Sequence, residues 1–146
     1  MLYEVIDYLP TIPKELIEDL SSVIDKSNLF DGEAQEEQYA SYPVSQELYD
    51  FIQQHFEYPV IVRYQVIQEN LKIHVDKDVE EKYNYIIEAG GNNVITLWHR
   101  SKFPKSIYAK LNAQLNTWYL LNVKFPHSVQ NVEKPRISIT VKRDDK

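Results

Sequence analysis

"PVIVRYQVIQENLKIHVDKD", residues 59–78, is where the period of the chain changes. Before Pro59, apolar residues recur at helical spacing. After it they alternate with polar ones or run in short β-branched blocks, and a period of two marks a strand. "VIVRYQVIQ" and "LKIHVD" therefore read as two strands. Onward, "KYNYIIEA", "NVITLWH", "TWYLLNV", "HSVQNV" and "RISITVK" have the same Val, Ile, Tyr, Thr and Trp character. "GGNN" at 90–93 predicts a hairpin joining two of them. Backward from Pro59, "LYEVIDY" (2–8) reads as a short strand. "TIPKELIEDLSSVIDK" (11–26) predicts a helix capped by Thr11, with Pro13 in its first turn and Leu16, Ile17, Leu20, Val23 and Ile24 on one face. Residues 29–43 carry Gly, Pro, Ser and several acids and read as a loop. "SQELYDFIQQHF" (45–56) predicts a second helix capped by Ser45, with Leu48, Phe51, Ile52 and Phe56 on one side. The expected fold class is mainly β, an antiparallel sandwich or barrel braced by two N-terminal helices. One domain spanning 1–146 is expected, with residues 1–57 packing on a strand-rich core at 58–143.

The composition narrows the function classes. At 146 residues, 43% hydrophobic and with eleven tyrosines, the chain can bury a sizeable core and is not of the disordered type. A net charge of −6 disfavours a broad nucleic-acid footprint. Arg100, Lys102, Lys105 and Lys110 do fall close together, and their default reading is a solvated strand edge or loop. The absence of cysteine excludes disulfides and thiolate metal sites and fits a reducing cytoplasm. "MLYEVIDYLPTIPKEL" lacks the apolar core of a signal peptide or anchor, and no stretch approaches the about 20 apolar residues of a spanning helix. A cytoplasmic protein without membrane partners is expected.

The chain has only four histidines, so a metal site has few sources of imidazole. On a strand, His74 and Asp76 share a face, with Ile73 and Val75 on the other. A lone His-x-Asp pair arises readily by chance and by itself reads as a polar strand face. The C-terminal stretch "NVKFPHSVQNVEKPRISITV" adds His127 at the start of one strand and Arg136 at the start of the next. Ser138, two residues on, shares the Arg136 face. A planar guanidinium can grip a carboxylate through two hydrogen bonds, and a serine can add another. Taken singly, Arg136 reads as a surface ion pair and His127 as a strand-end or core histidine. Taken together, two imidazoles and one carboxylate on one face of an octahedron leave three metal positions open, the ligand set of non-haem Fe(II) oxygenases.

In these residues, and in the phrases "IHVDKDVEEKYNYIIEAGGNN" and "LNVKFPHSVQNVEKPRISITV", the sequence resembles the Fe(II)/2-oxoglutarate-dependent oxygenases, small phage-encoded members in particular. The resemblance covers about residues 58–143 and implies a double-stranded β-helix, or jelly roll. It implies that His74, Asp76 and His127 hold Fe(II), and that Arg136 with Ser138 binds the distal carboxylate of 2-oxoglutarate. It implies hydroxylation of a substrate C–H by O2, with release of succinate and CO2. The carboxylate of Asp76 fits a hydroxylase, since related halogenases carry a small residue there. A cosubstrate contact from the next strand is assigned to Tyr85, which shares a face with Tyr83 and Ile87, while Asn84 and Ile86 share the other. A core tyrosine is the competing reading.

His99 reads as a polar edge residue, His55 takes no role, and Trp98 and Trp118 are packing residues that could line a pocket mouth. Gly90 and Gly91 lack the pattern of a phosphate loop, and no Gly-x-Ser-x-Gly elbow supports a serine hydrolase. Two other readings stay open: a jelly-roll binding or structural module without turnover, and a Zn-dependent hydrolase using the same three ligands. The expected partner is an unidentified substrate, a protein residue or a small molecule, rather than unmodified nucleic acid. An edge strand or the N-terminal segment offers a route to a homodimer, and a phage-encoded chain would work in the host cytoplasm.

Overall fold

The computed structural model describes residues 1–27, 39–77, 79–103 and 106–144. It is mainly β, built from two antiparallel sheets. The strands are β1 (Tyr3–Ile6), β2 (Tyr39–Pro43), β3 (Val60–Ile67), β4 (Leu71–His74), β5 (Glu81–Glu88), β6 (Ile95–His99), β7 (Ile107–Leu111), β8 (Trp118–Asn122), β9 (His127–Gln130) and β10 (Arg136–Arg143). Among the described residues the α-helices are α1 (Leu20–Ser27) and α2 (Gln46–Gln53). The larger sheet runs β1-β8-β5-β10-β3-β2 and the smaller β4-β9-β6-β7. From β3 to β10 the chain changes sheet at every connection except β6 to β7. That is the winding of a jelly roll.

Alternation gives the larger sheet two different faces. On β3, Val60, Val62, Tyr64 and Val66 point one way, and on β10 so do Ile137, Ile139 and Val141. They meet Ile6, Leu9, Ile12, Val23, Leu48 and Ile52 from the N-terminal segment and form the main core. The opposite face presents Gln65, Ile67, Arg136 and Ser138 to the smaller sheet. The apolar core is thus built with the N-terminal layer, leaving room for polar groups between the sheets.

The helix expected over 11–26 is shorter. A 3-10 turn, Lys14–Leu16, precedes α1, and the backbone between follows the sheet instead of a helical path. The Ile12 amide donates to the Tyr85 hydroxyl at 3.2 Å and the Glu18 amide to that of Tyr64 at 3.0 Å. The Trp118 indole donates to the Pro10 carbonyl at 2.9 Å. These bonds divert the segment's backbone groups from a helical ladder. The cap of α1 is Asp19, whose Oδ1 accepts from Ser22 N at 3.2 Å, rather than Thr11. α2 begins as expected, with Ser45 Oγ accepting from Leu48 N at 3.2 Å.

Three further expectations change. Part of the expected 29–43 loop is strand β2, an edge strand ending at Pro43, where a missing N–H is tolerated; residues 29–38 of that loop lie outside the described residues. β7 joins the strand set; it is short, and Tyr108 and Lys110 interrupt its apolar run. "GGNN" forms no hairpin, because β5 and β6 lie in different sheets. It is a corner: the Gly90 carbonyl accepts from the Glu133 and Lys134 amides at 2.9 and 3.1 Å. Gly90 has φ +83°, and a Cβ there would meet the Arg136 Cβ at 2.7 Å. Among the described residues, no helix is long and apolar enough to cross a membrane, which says nothing of a β-barrel.

Candidate metal centre and anion pocket

β4 ends at His74, so Asp76 lies just beyond the strand rather than within it. Its position is set by its backbone, which donates to the Val123 carbonyl at 2.8 Å, while Val123 N donates to Glu80 O at 2.9 Å. Val75 is 40% exposed, so the apolar residues of "IHVD" look outward and the His/Asp pair looks between the sheets. β9 supplies His127 in register with His74 on one side and Trp98 on the other. Asn122 Oδ1 accepts from the Lys124 and Phe125 amides, both at 3.0 Å, and this turn aims the chain into β9.

The result is a cluster in which ligand atoms of His74, Asp76 and His127 lie within 4.8 Å of one another. Asp76 Oδ1 stands 3.8 Å from His74 Nε2 and 3.6 Å from His127 Nε2. His74 Nδ1 lies 2.7 Å from the Lys72 carbonyl and His127 Nδ1 2.8 Å from the Phe125 carbonyl. A carbonyl only accepts, so each Nδ1 carries a proton and each Nε2 is the ring nitrogen turned to Asp76. Burial pushes the His127 pKa down to about 4, with the neighbouring His74 charge adding to it, so the ring is neutral at ordinary pH. Two imidazoles that turn Nε2 to one carboxylate, each held at Nδ1 by a backbone carbonyl, can hold a divalent ion. Lys82 Nζ, 3.7 Å from Asp76 Oδ2, steadies the other carboxylate oxygen.

The same inter-sheet cleft, whose empty space with its mouth is about 610 Å³, contains His74, Lys82, His127, Arg136 and Ser138. Ile67, Leu71, Ile86, Trp98 and Val129 give it apolar walls. Arg136 is 5% exposed. Its Nη1 donates to the Ala89 carbonyl at 3.3 Å, and among the described residues no carboxylate pairs with it. Burial lowers its pKa to about 10, which leaves it cationic. Ser138 Oγ accepts from Asn84 Nδ2 at 3.3 Å. A buried cation facing a cavity is a site for an anion.

Five of the six residues singled out in the sequence thus meet around one cleft. Tyr85 does not. Its ring packs on Trp118 at 4.9 Å on the N-terminal face of the sheet, and its hydroxyl is bonded to Ile12 N. The β5 face that lines the cleft is Lys82, Asn84 and Ile86. Pairing of β5 with β10 decides this: Ser138 lies opposite Ile86, and Ile139 opposite Tyr85. Lys82 and Asn84 are the residues sequence reasoning missed, and the alternation that places Asn84 opposite to Tyr85 is the signal for them. His99 is not an edge residue; it is 1% exposed, with Nε2 2.7 Å from Ser128 Oγ. Trp98 lines the cleft, and Trp118 packs on the other side of the sheet.

No protein-family profile and no curated protein matches the sequence. Solved structures do match. A prolyl hydroxylase of Trichoplax adhaerens, in complex with a peptide fragment of the hypoxia inducible factor oxygen degradation domain, has TM-score 0.52 at 10% identity, covering 98% of this chain and 83% of its own. Oxalate decarboxylase of Lactobacillus farciminis, in a formate complex, has TM-score 0.48 at 13% identity over 75% of this chain and 30% of that one. The Bacillus subtilis enzyme at pH 4.6 has TM-score 0.48 at 12% identity over 75% and 26%. This chain spans less than a third of the length of these decarboxylases. The likeness to the hydroxylase shows a jelly-roll fold and no narrower family.

Proposed function

We propose that this chain is an Fe(II)- and 2-oxoglutarate-dependent dioxygenase that hydroxylates a substrate C–H bond. One observation carries the reading: a His-Asp-His cluster with both Nε2 atoms turned to the Asp76 carboxylate shares its cleft with a buried guanidinium that, among the described residues, has no carboxylate partner. His74, Asp76 and His127 are the metal ligands. Arg136 holds the distal carboxylate of 2-oxoglutarate, supported by the Ser138 hydroxyl, which Asn84 orients. Lys82 keeps Asp76 turned so that one oxygen serves the metal. The apolar walls keep water from the reacting centre. When bound, Fe(II) would activate O2, the oxidant, with 2-oxoglutarate as the two-electron co-reductant: one oxygen atom enters the substrate as a hydroxyl and the other enters succinate as CO2 leaves.

Incubation of the Fe(II)-loaded protein with 2-oxoglutarate and O2 tests the proposal. Slow succinate release without added substrate is expected, abolished in Asp76→Ala. A folded, Fe(II)-bound protein that consumes no 2-oxoglutarate, with peptides or metabolites added, would overturn it.

A further inference from the structure

Charge is unevenly spread along this acidic chain. Residues 89–132 contain five of the sixteen basic residues, Arg100, Lys102, Lys105, Lys110 and Lys124, and none of the twenty-two acidic ones. This stretch builds β6, β7, β8 and β9. β7 is the outer strand of the smaller sheet; among the described residues it pairs only with β6. Its other edge offers backbone donors and acceptors in an orderly row. Around that edge lie Phe103 and Tyr108, 75% and 56% exposed. The Arg100 guanidinium sits 5.2 Å from the Tyr108 ring centroid, and Tyr108 packs against Phe125 at 5.7 Å.

We infer that the β7 edge is a docking strand for an acidic peptide in extended conformation, which delivers a neighbouring residue of that peptide to the candidate metal centre. The inference rests on the dioxygenase reading for the chemistry but not for the binding. Backbone pairing supplies affinity without sequence demands, and Arg100, held over Tyr108, and Lys110 on the strand itself select acidic side chains. Native edge strands are commonly guarded by lysine against self-pairing, and an acidic strand is the one whose charge such a guard attracts. Aromatic and basic residues together also suit a single-stranded nucleic acid. The unpaired strand edge favours the peptide.

The register sets the reach. His127 lies opposite Trp98, and Trp98 opposite Ala109. A strand added to β7 would therefore lie three spacings from the His127 backbone, about 14 Å at ~4.8 Å per strand. About five extended residues cover that distance. The residue presented to the centre should lie about that far from the paired segment. The β7 end also leads there, since Leu111 and Ala113 line the cleft.

Fluorescence anisotropy on the metal-free full chain at low salt tests this. The probes are a labelled twelve-residue peptide alternating Glu with Val and Thr, its Gln counterpart, its alternately N-methylated form and an oligothymidine of similar length. The acidic peptide should bind at least about 10-fold more tightly than the Gln and N-methylated forms, and Arg100→Glu with Lys110→Glu should weaken it at least as much. These surface substitutions leave the folded far-UV circular dichroism signal in place. Absence of binding at millimolar peptide, equal binding of the Gln or N-methylated form, unchanged binding by the double variant, or preference for the oligothymidine would each overturn it. Succinate release from wild type is read separately, so failure of docking and failure of the dioxygenase reading are distinguishable.

Discussion

Arg136 is a cation held between two sheets with a backbone carbonyl as its hydrogen-bond partner. Removing a guanidinium from water costs several kcal/mol, and an apolar residue of similar volume avoids that cost. Arg136→Met should raise the stability of the metal-free protein by about 1–3 kcal/mol while weakening 2-oxoglutarate binding by about 100-fold or more. Urea denaturation and calorimetric titration read the two effects. A purely structural arginine would instead lose stability on substitution. His127 gives a second outcome at this scale. Its folded pKa is about 4, against about 6.5 in the unfolded chain. Between those values the unfolded chain binds more protons, so the contribution is fully present above pH about 6.5 and is lost as pH falls toward about 4. The metal-free wild type should lose about 2–3 kcal/mol across that window relative to His127→Gln, by urea midpoints at each pH.

The corner at Gly90 decides how β5, β6 and β10 meet. Its φ of +83° and the 2.7 Å approach of the Arg136 Cβ leave no room for a side chain. Gly90→Ala should destabilise the fold by about 1–3 kcal/mol and weaken 2-oxoglutarate binding as Arg136 is displaced, measured by thermal unfolding and calorimetry. This element also shows where sequence reading stops. "GGNN" correctly marks a reversal, because left-handed backbone needs glycine. Which strand comes next to β5 depends on pairing with β10, some fifty residues away in the chain. β3 and β10 were legible because both are rich in Val and Ile and each carries one wholly apolar face. β2 and β7 were not, because edge strands contact a neighbour on one side only and tolerate the Pro43, Tyr108 and Lys110 that obscure their pattern. The helix expected over 11–26 is shortened for a related reason: tyrosine hydroxyls from the sheet take the amides of its first part, and its own sequence carries no trace of them.

Across the whole molecule, the N-terminal layer takes the main apolar core and frees the inter-sheet space for chemistry. That division explains the fate of the site residues. His74, Asp76, His127, Arg136 and Ser138 could be singled out because their types and spacings carry a chemistry. Their convergence required the jelly-roll winding, which brings β4 and β9 beside each other and sets β10 facing them. Tyr85 was misplaced because alternation says which residues share a face, and only the assembled sheet says which face holds the cleft. The account stands on metal and dicarboxylate meeting in that cleft. Anaerobic titration of the protein with Fe(II) and 2-oxoglutarate, followed by visible absorption, measures that meeting directly. A weak charge-transfer band should grow to one equivalent, require both additions, and disappear in His127→Ala. A folded wild-type protein that binds Fe(II) yet develops no such band with 2-oxoglutarate contradicts the account.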